Sequence, residues 1–218
     1  MVTMTDRTAR AERVEVTRDH ILTAAERLFA EHGVFSVSNR QISEAAGQGN
    51  TAAVGYHFGT KTHLVRAIVR KHSESIEGRR AQMVSAIGGS DDVRDWVSCM
   101  VRPVTEHLAQ LGSPTWYARF LAQVGTDPAL YAITAAENHA SSALRRNIEG
   151  FNRCLPALSP TVRTERGEMT RQLVLHTCGV RERALAEGAS TPRKSWHDTA
   201  TGLVDALVGL WLAPVTSD

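Results

Sequence analysis

A chain of 218 residues, 42% hydrophobic and 22% charged, has enough apolar material for a substantial core and too much to be disordered throughout. No apolar run reaches the roughly 18–20 residues of a membrane-spanning helix, and the polar stretch Met1–Asp19 lacks the apolar segment of a secretory signal, so a cytoplasmic protein of one or two domains with no membrane partner is expected. The net charge of +2 is unevenly spread: residues 1–80 hold 12 Lys and Arg against 9 Asp and Glu, and residues 81–218 hold 13 against 14, a mild basic bias at the N-terminal end.

Apolar positions recur with helical spacing nearly throughout, and no alternating run of strand type is found, so the expected fold class is all-α. The seven Pro are read as starts and ends of periodic segments. Residues 1–17 read as a mobile arm whose Arg7, Arg10 and Arg13 are available to a DNA minor groove. A first helix is expected from about Arg18 to His32, with Ile21, Leu22, Ala25, Leu28 and Phe29 on one stripe and Gly33 as its stop. Ser38-Asn39-Arg40-Gln41 has the spacing of a capping box and opens a second helix with Ile42, Ala45 and Ala46 inward. Gly47-Gln48-Gly49 breaks it. Asn50 is placed to cap a short third helix over about Thr51–Phe58, and Thr60 to cap a fourth with Leu64, Val65, Ile68 and Val69 inward. Two short helices joined by a glycine-containing turn form a helix-turn-helix pattern, and the small residues Thr51, Ala52, Ala53 and Gly55 would let the third helix enter a groove about 12 Å wide.

The remaining chain is more apolar. Ser90 is expected to cap a helix reaching about Leu111, Ser113-Pro114 to start the next, and Asp127-Pro128 to start a third, broken near Asn138 and ending near Leu155. Ser159-Pro160 opens a long helix to about Ala186. After a loop over 187–194, a last helix runs from about Ser195 to Leu212 with two apolar stripes. A terminal helix apolar over so much of its circumference suggests burial on two sides. Leu203, Val204, Leu207, Val208 and Trp211 on this helix, with Val162, Met169, Leu173 and Val180 on the long helix before it, are the candidate interface between two copies of the chain.

The stretch from Ile21 to Leu64 resembles the DNA-binding domain of the TetR family of bacterial transcription regulators. The matching residues are A-A-E-R-L-F-A-E-H-G (Ala24–Gly33), Q-I-S-E-A-A-G (Gln41–Gly47), Y-H-F (Tyr56–Phe58) and G-T-K-T-H-L (Gly59–Leu64). The resemblance implies a helix-turn-helix domain over residues 18–72, whose last helix continues as a connector to about 88, and a helical ligand-binding and dimerisation domain over 89–218. It implies a homodimer on double-stranded DNA with a palindromic operator, usually a repressor, released by a small molecule. Carried onto this chain, it places Ser38 and Arg40 at a phosphate or base edge and Thr51, Ala52 and Gly55 on the exposed face of the recognition helix. It sets Tyr56, His57 and Lys61 against the backbone of the DNA. Gly55 stands where the family usually has Tyr, and the turn Gly47–Asn50 is one residue longer than the commonest form. Base contact then passes to Asn50, Thr51 or Tyr56.

Other chemistry finds little support. Gly47-x-Gly49-x-x-Ala52 follows a helix and lacks a βαβ setting, so it is no dinucleotide fingerprint. Cys99, Cys154 and Cys178 are odd in number and widely spaced, and no His pair has ligand spacing, so neither metal nor cofactor is expected. An enzyme using His139, His176 or Glu137 has no supporting constellation. Candidates to line an effector pocket are Trp96, Met100, Trp116, Tyr117, Phe120, Phe151 and His176, with Arg119 and Asn138 as polar contributors, for a bulky and largely apolar ligand. The competing reading is a regulator whose second domain only dimerises or binds a protein.

Overall fold

Side-chain caps and left-handed glycines set where the helices of this chain begin and end. The computed structural model describes residues 4–216, with side chains for 11–137 and 140–216, and those residues form ten helices and no strand. Helix α1 (Met4–His32) begins well before Arg18, so residues 4–17 are helical where an arm is expected. That stretch has no Gly or Pro and is rich in Ala, Arg and Glu, which favour helix without a buried face; residues 11–16 are exposed, so no apolar stripe announces them.

Ser38 caps α2 (Asn39–Ala45) in a full capping box with Gln41. Gly47, at φ +68°, ends it: the Gly47 amide donates to the Glu44 carbonyl and the Gln48 amide to that of Ser43, the paired bonds of a left-handed helix stop. Helix α3 (Ala53–Phe58) starts two residues later than expected, because the Asn50 side chain accepts from the Ala52 amide at 2.9 Å and holds Thr51–Ala52 in a turn. Thr60 caps α4 (Lys61–Ala86) as expected. Ile21, Phe29, Ile42, Val54, Leu64 and Ile68 fill the core these four helices share. Ser43, not Ala45, completes the inner face of α2.

In the second half, α5 (Val93–Leu111) is capped by Asp92 rather than Ser90, whose hydroxyl donates to Asp95 instead. Pro103 lies inside α5, against the expectation that every Pro marks an end. Having no N–H, it leaves the Cys99 carbonyl without its helical donor, and Arg80 Nε from α4 donates there at 3.3 Å. Helix α6 (Tyr117–Thr126) begins three residues beyond Pro114. Trp116 offers no side-chain cap; the buried Glu182 accepts from the amides of Ala118 and Arg119 at 3.0 and 2.9 Å. Burial raises the Glu182 carboxyl above its ordinary range, while bonds from Arg119 and Ala118 pull it back. Helices α7 (Pro128–Ala140) and α8 (Ser142–Cys154) divide at Ser141. Helices α9 (Pro160–Ala186) and α10 (Trp196–Leu212) are capped by Ser159 and Ser195.

Helix α5 packs on α10, α4 and α8, and α6 on α9 and α1. The Trp96 ring of α5 lies flat against the backbone of α8 at Gly150, where a Cβ would meet it at 2.2 Å. The two halves are joined by α4, which runs from the helix-turn-helix into the second bundle, and by the α1–α6 contact, where Phe29 stacks on Phe120.

Candidate nucleic-acid interface and effector cavity

The outer face of α3 and its flanking turns is open. Ser38, Arg40, Asn50, Thr51, Ala52 and Gly55 are all exposed, His57 is half-buried, and Tyr56 stands out from the surface at 82% exposure. A Cβ at Gly55 would meet nothing within 4 Å, so this position faces solvent rather than a neighbouring helix. Val54 and Phe58 point the other way into the core.

The face is held from behind. Ser43 Oγ donates to the Thr51 carbonyl at 3.2 Å, tying α2 to the turn. Arg18 Nη1 donates to the His57 carbonyl at 2.9 Å while its guanidinium lies over the Phe58 ring, which satisfies the C-terminal end of α3. Lys61 Nζ donates to the Val37 carbonyl at 2.7 Å and so fixes the start of α4 against the turn before α2. Arg40 pairs with Glu44 one turn on, which raises its guanidinium pKa. Neither Arg18 nor Ser43 carries a local signature, since both act across tertiary contacts.

Behind this domain, α1, α4, α5 and α6 meet around a buried polar chain. His72 Nε2 lies 2.8 Å from Glu26 Oε2, His72 Nδ1 lies 2.8 Å from His107 Nε2, and His107 Nδ1 lies 3.3 Å from Ser75 Oγ. One neutral arrangement satisfies all three: the Ser75 hydroxyl donates to His107, His107 to His72, and His72 to the Glu26 carboxylate. Burial first, then His72 and Arg79, lowers His107 to about 4. Tyr117 stacks on His72 with ring centroids 3.8 Å apart, and burial raises its hydroxyl.

Tyr117 also lines a cavity of about 370 Å³ between α4, α5, α6, α7, α8 and α9. Val69, Ile76, Met100, Val104, Leu121 and Val174 supply apolar wall; Glu77, Arg80 and Glu137 supply charge. Glu137 takes a two-pronged bond from Arg70 at 2.8 and 3.0 Å and faces Arg66 at 3.3 Å, so the cavity wall on α7 is fastened to α4. Among the residues expected at the pocket, Met100 and Tyr117 line this cavity. Trp96, Phe120 and Phe151 are packed in solid core, and Trp116 is half-buried at the start of α6. His176 is exposed on α9, and Arg119 is engaged with Glu182. The Asn138 side chain lies outside the described residues.

The candidate interface between copies also divides. Leu203, Val204, Leu207 and Trp211 are buried within their own chain as α10 packs on α5, Trp211 meeting Phe151 edge to face and donating to Thr170, and Val208 is half-buried. Leu203, Val204, Leu207 and Trp211 thus cover the chain's own core rather than a partner. Met169, Leu173 and Val180 do lie outside, Val180 at 69% exposure, and Met169 and Leu173 form a shallow apolar face with Ala206 and Leu210 of α10. Among the described residues no group of His, Cys, Asp or Glu could hold a metal ion, and no helix is long and apolar enough to cross a membrane.

Residues 21–68 match the family model of the bacterial regulatory proteins of the tetR family. Over 91 residues the chain is 34% identical to the HTH-type transcriptional repressor AcnR of Corynebacterium glutamicum, across 38% of this chain and 46% of that one, so it spans about half the length of the curated relatives it matches. In fold it is similar to the TetR-family regulator PfmR of Thermus thermophilus (TM-score 0.53, 16% identity, 92% of this chain and 98% of that one). It is likewise similar to NalD, the secondary repressor of the MexAB-OprM multidrug efflux pump in Pseudomonas aeruginosa (TM-score 0.53, 22% identity, 94% and 100%). The family model thus matches the helix-turn-helix region, and the likeness in fold covers more than nine-tenths of the chain.

Proposed function

We propose that this chain is a regulator of the tetR family, a ligand-responsive repressor that acts in the cytoplasm as a homodimer on a palindromic operator. The observation that carries the reading is α4: its first residue, Lys61, braces the helix-turn-helix, and its Val69, Ile76, Glu77 and Arg80 line the cavity, so one rigid element serves both sites. Asn50, Thr51, Ala52 and Tyr56 are the residues that face the major groove. Ser38, Arg40, His57 and Lys61, with the helix N-termini, meet phosphates. Two copies joined through the Met169, Leu173, Val180, Ala206 and Leu210 face set their recognition helices about 34–36 Å apart, one turn of the duplex.

A ligand acts by favouring a different spacing, which requires that it bind the two arrangements with different affinity. A cavity walled partly by the connector helix favours this reading over a second domain that serves for dimerisation alone. Selection of genomic fragments by the purified chain at about 150 mM salt tests it. A recurrent palindrome bound by a dimer is expected. Retention without a shared motif would reduce the reading to nonspecific affinity, and no retention by folded protein would end it.

A further inference from the structure

The cavity has a polar end whose hydrogen bonding is incomplete. Of the polar side chains around it, Ser73 donates to the Val69 carbonyl, Thr134 to that of Tyr131, and Thr170 accepts from Trp211. Glu137 is taken by Arg66 and Arg70, and Arg171 by Glu168 and the Gly125 carbonyl. Glu77 differs. One of its oxygens pairs with Arg80, while the other, Oε2, is buried and has no hydrogen-bond partner. Arg80 is itself fixed: it is buried, it remains cationic at neutral pH although burial lowers it to about 10, and its Nε is held on the carbonyl that Pro103 leaves free. The Glu77–Arg80 pair is therefore an internally neutral unit on the cavity wall that leaves one acceptor without a donor beside a largely apolar lining.

We propose that the cavity takes a compact, largely apolar molecule carrying one neutral hydrogen-bond donor, a hydroxyl or N–H, which donates to Glu77 Oε2. This rests on the effector reading above and gives it a chemical class. Neutrality follows from charge: Arg80 already balances Glu77, so a cationic ligand would leave a net buried charge and an anionic one would face the unpaired oxygen. Shape follows from the volume of about 370 Å³, toward the small end of ligand sites. Because Glu77 lies on α4, the donor contact falls on the helix that carries the DNA-binding domain.

Equilibrium dialysis of the full chain against 1-naphthol, naphthalene and 1-naphthoate at neutral pH tests the assignment. The expected order is 1-naphthol at least about tenfold tighter than naphthalene, with 1-naphthoate the weakest. In Glu77→Gln, whose amide oxygen is kept by Arg80 and whose NH₂ then faces the ligand, the preference for 1-naphthol falls to within about twofold. Equal binding of naphthol and naphthalene by the wild-type chain overturns the donor assignment even if the variant fails to fold. So does tightest binding of 1-naphthoate, which would make Arg80 the recognition group, or an unchanged preference in Glu77→Gln. Binding of none of the three overturns the effector reading along with it.

Discussion

His72 Nε2 and Glu26 Oε2 lie 2.8 Å apart in the interior, and that bond joins the connector helix to the first helix of the DNA-binding domain. The neighbouring His107 holds the far side of the His72 ring and is kept neutral, its pKa lowered to about 4 by burial, His72 and Arg79. A histidine of depressed pKa binds its proton more readily unfolded. Stability is therefore present above about pH 6.5 and is lost as pH falls toward 4, by up to about 3 kcal/mol. Urea unfolding between pH 7.5 and 4.5 should show this decline, and His107→Asn should flatten it. An unchanged slope in the variant would assign the acid sensitivity elsewhere.

Lys61→Ala should weaken binding to all DNA sequences alike and lower the magnitude of the salt slope by about 2 for a dimer, one phosphate contact per protomer. Filter binding from 50 to 300 mM salt measures it. A change confined to sequence preference would place Lys61 at a base edge rather than at a phosphate.

Gly55→Ala separates folding from recognition. The site is open, so the added methyl should stabilise the helix by about 0.5–1 kcal/mol. If Gly55 lies against the groove, operator affinity should fall while the melting temperature rises. Unaltered affinity would remove this position from the DNA face.

How much of this was legible in the sequence follows from the range of each interaction. Ser38, Thr60, Ser159 and Ser195 cap the helices they precede, and Gly33 and Gly47 take the left-handed conformation a helix stop needs, because these devices act within four residues. The start of α6 was not legible, since its cap is Glu182, 64 residues away from Ala118. Periodicity found two stripes on α10 without saying which neighbour covers each; α10 packs chiefly on α5, Trp211 meets Phe151 of α8 and Thr170 of α9, and Ala206 and Leu210 are left beside Met169 and Leu173. The cavity escaped composition for a related reason. Trp96 and Phe120 fill core space, and the chamber opens instead where Tyr117 and Tyr131 meet mostly medium-sized residues of six helices.

Leu173→Glu with Val180→Glu should yield a monomer by sedimentation with its helicity intact, because both side chains are exposed in the protomer. Leu207→Ala, in the protomer's own core, should instead cost about 2–5 kcal/mol of stability. Retained dimerisation of the double variant would move the interface off α9.

Gly150→Ala should destabilise the second domain by about 1–3 kcal/mol, since the methyl would fall within the Trp96 ring. A lower melting temperature with altered tryptophan fluorescence is expected; an unaffected one would mean that α5 and α8 separate easily.

Pro103 does not line the cavity, yet its missing amide proton decides where the Arg80 guanidinium is anchored. An ordinary residue there would reclaim the Cys99 carbonyl for its own helix and set Arg80 loose beside Glu77. The chamber is thus adjustable from outside its walls: one change in the backbone of α5 would leave the neutral Glu77–Arg80 pair less firmly held. If the chamber takes an effector as proposed, a change at a site that never meets that molecule would alter how firmly the polar end of its wall is held.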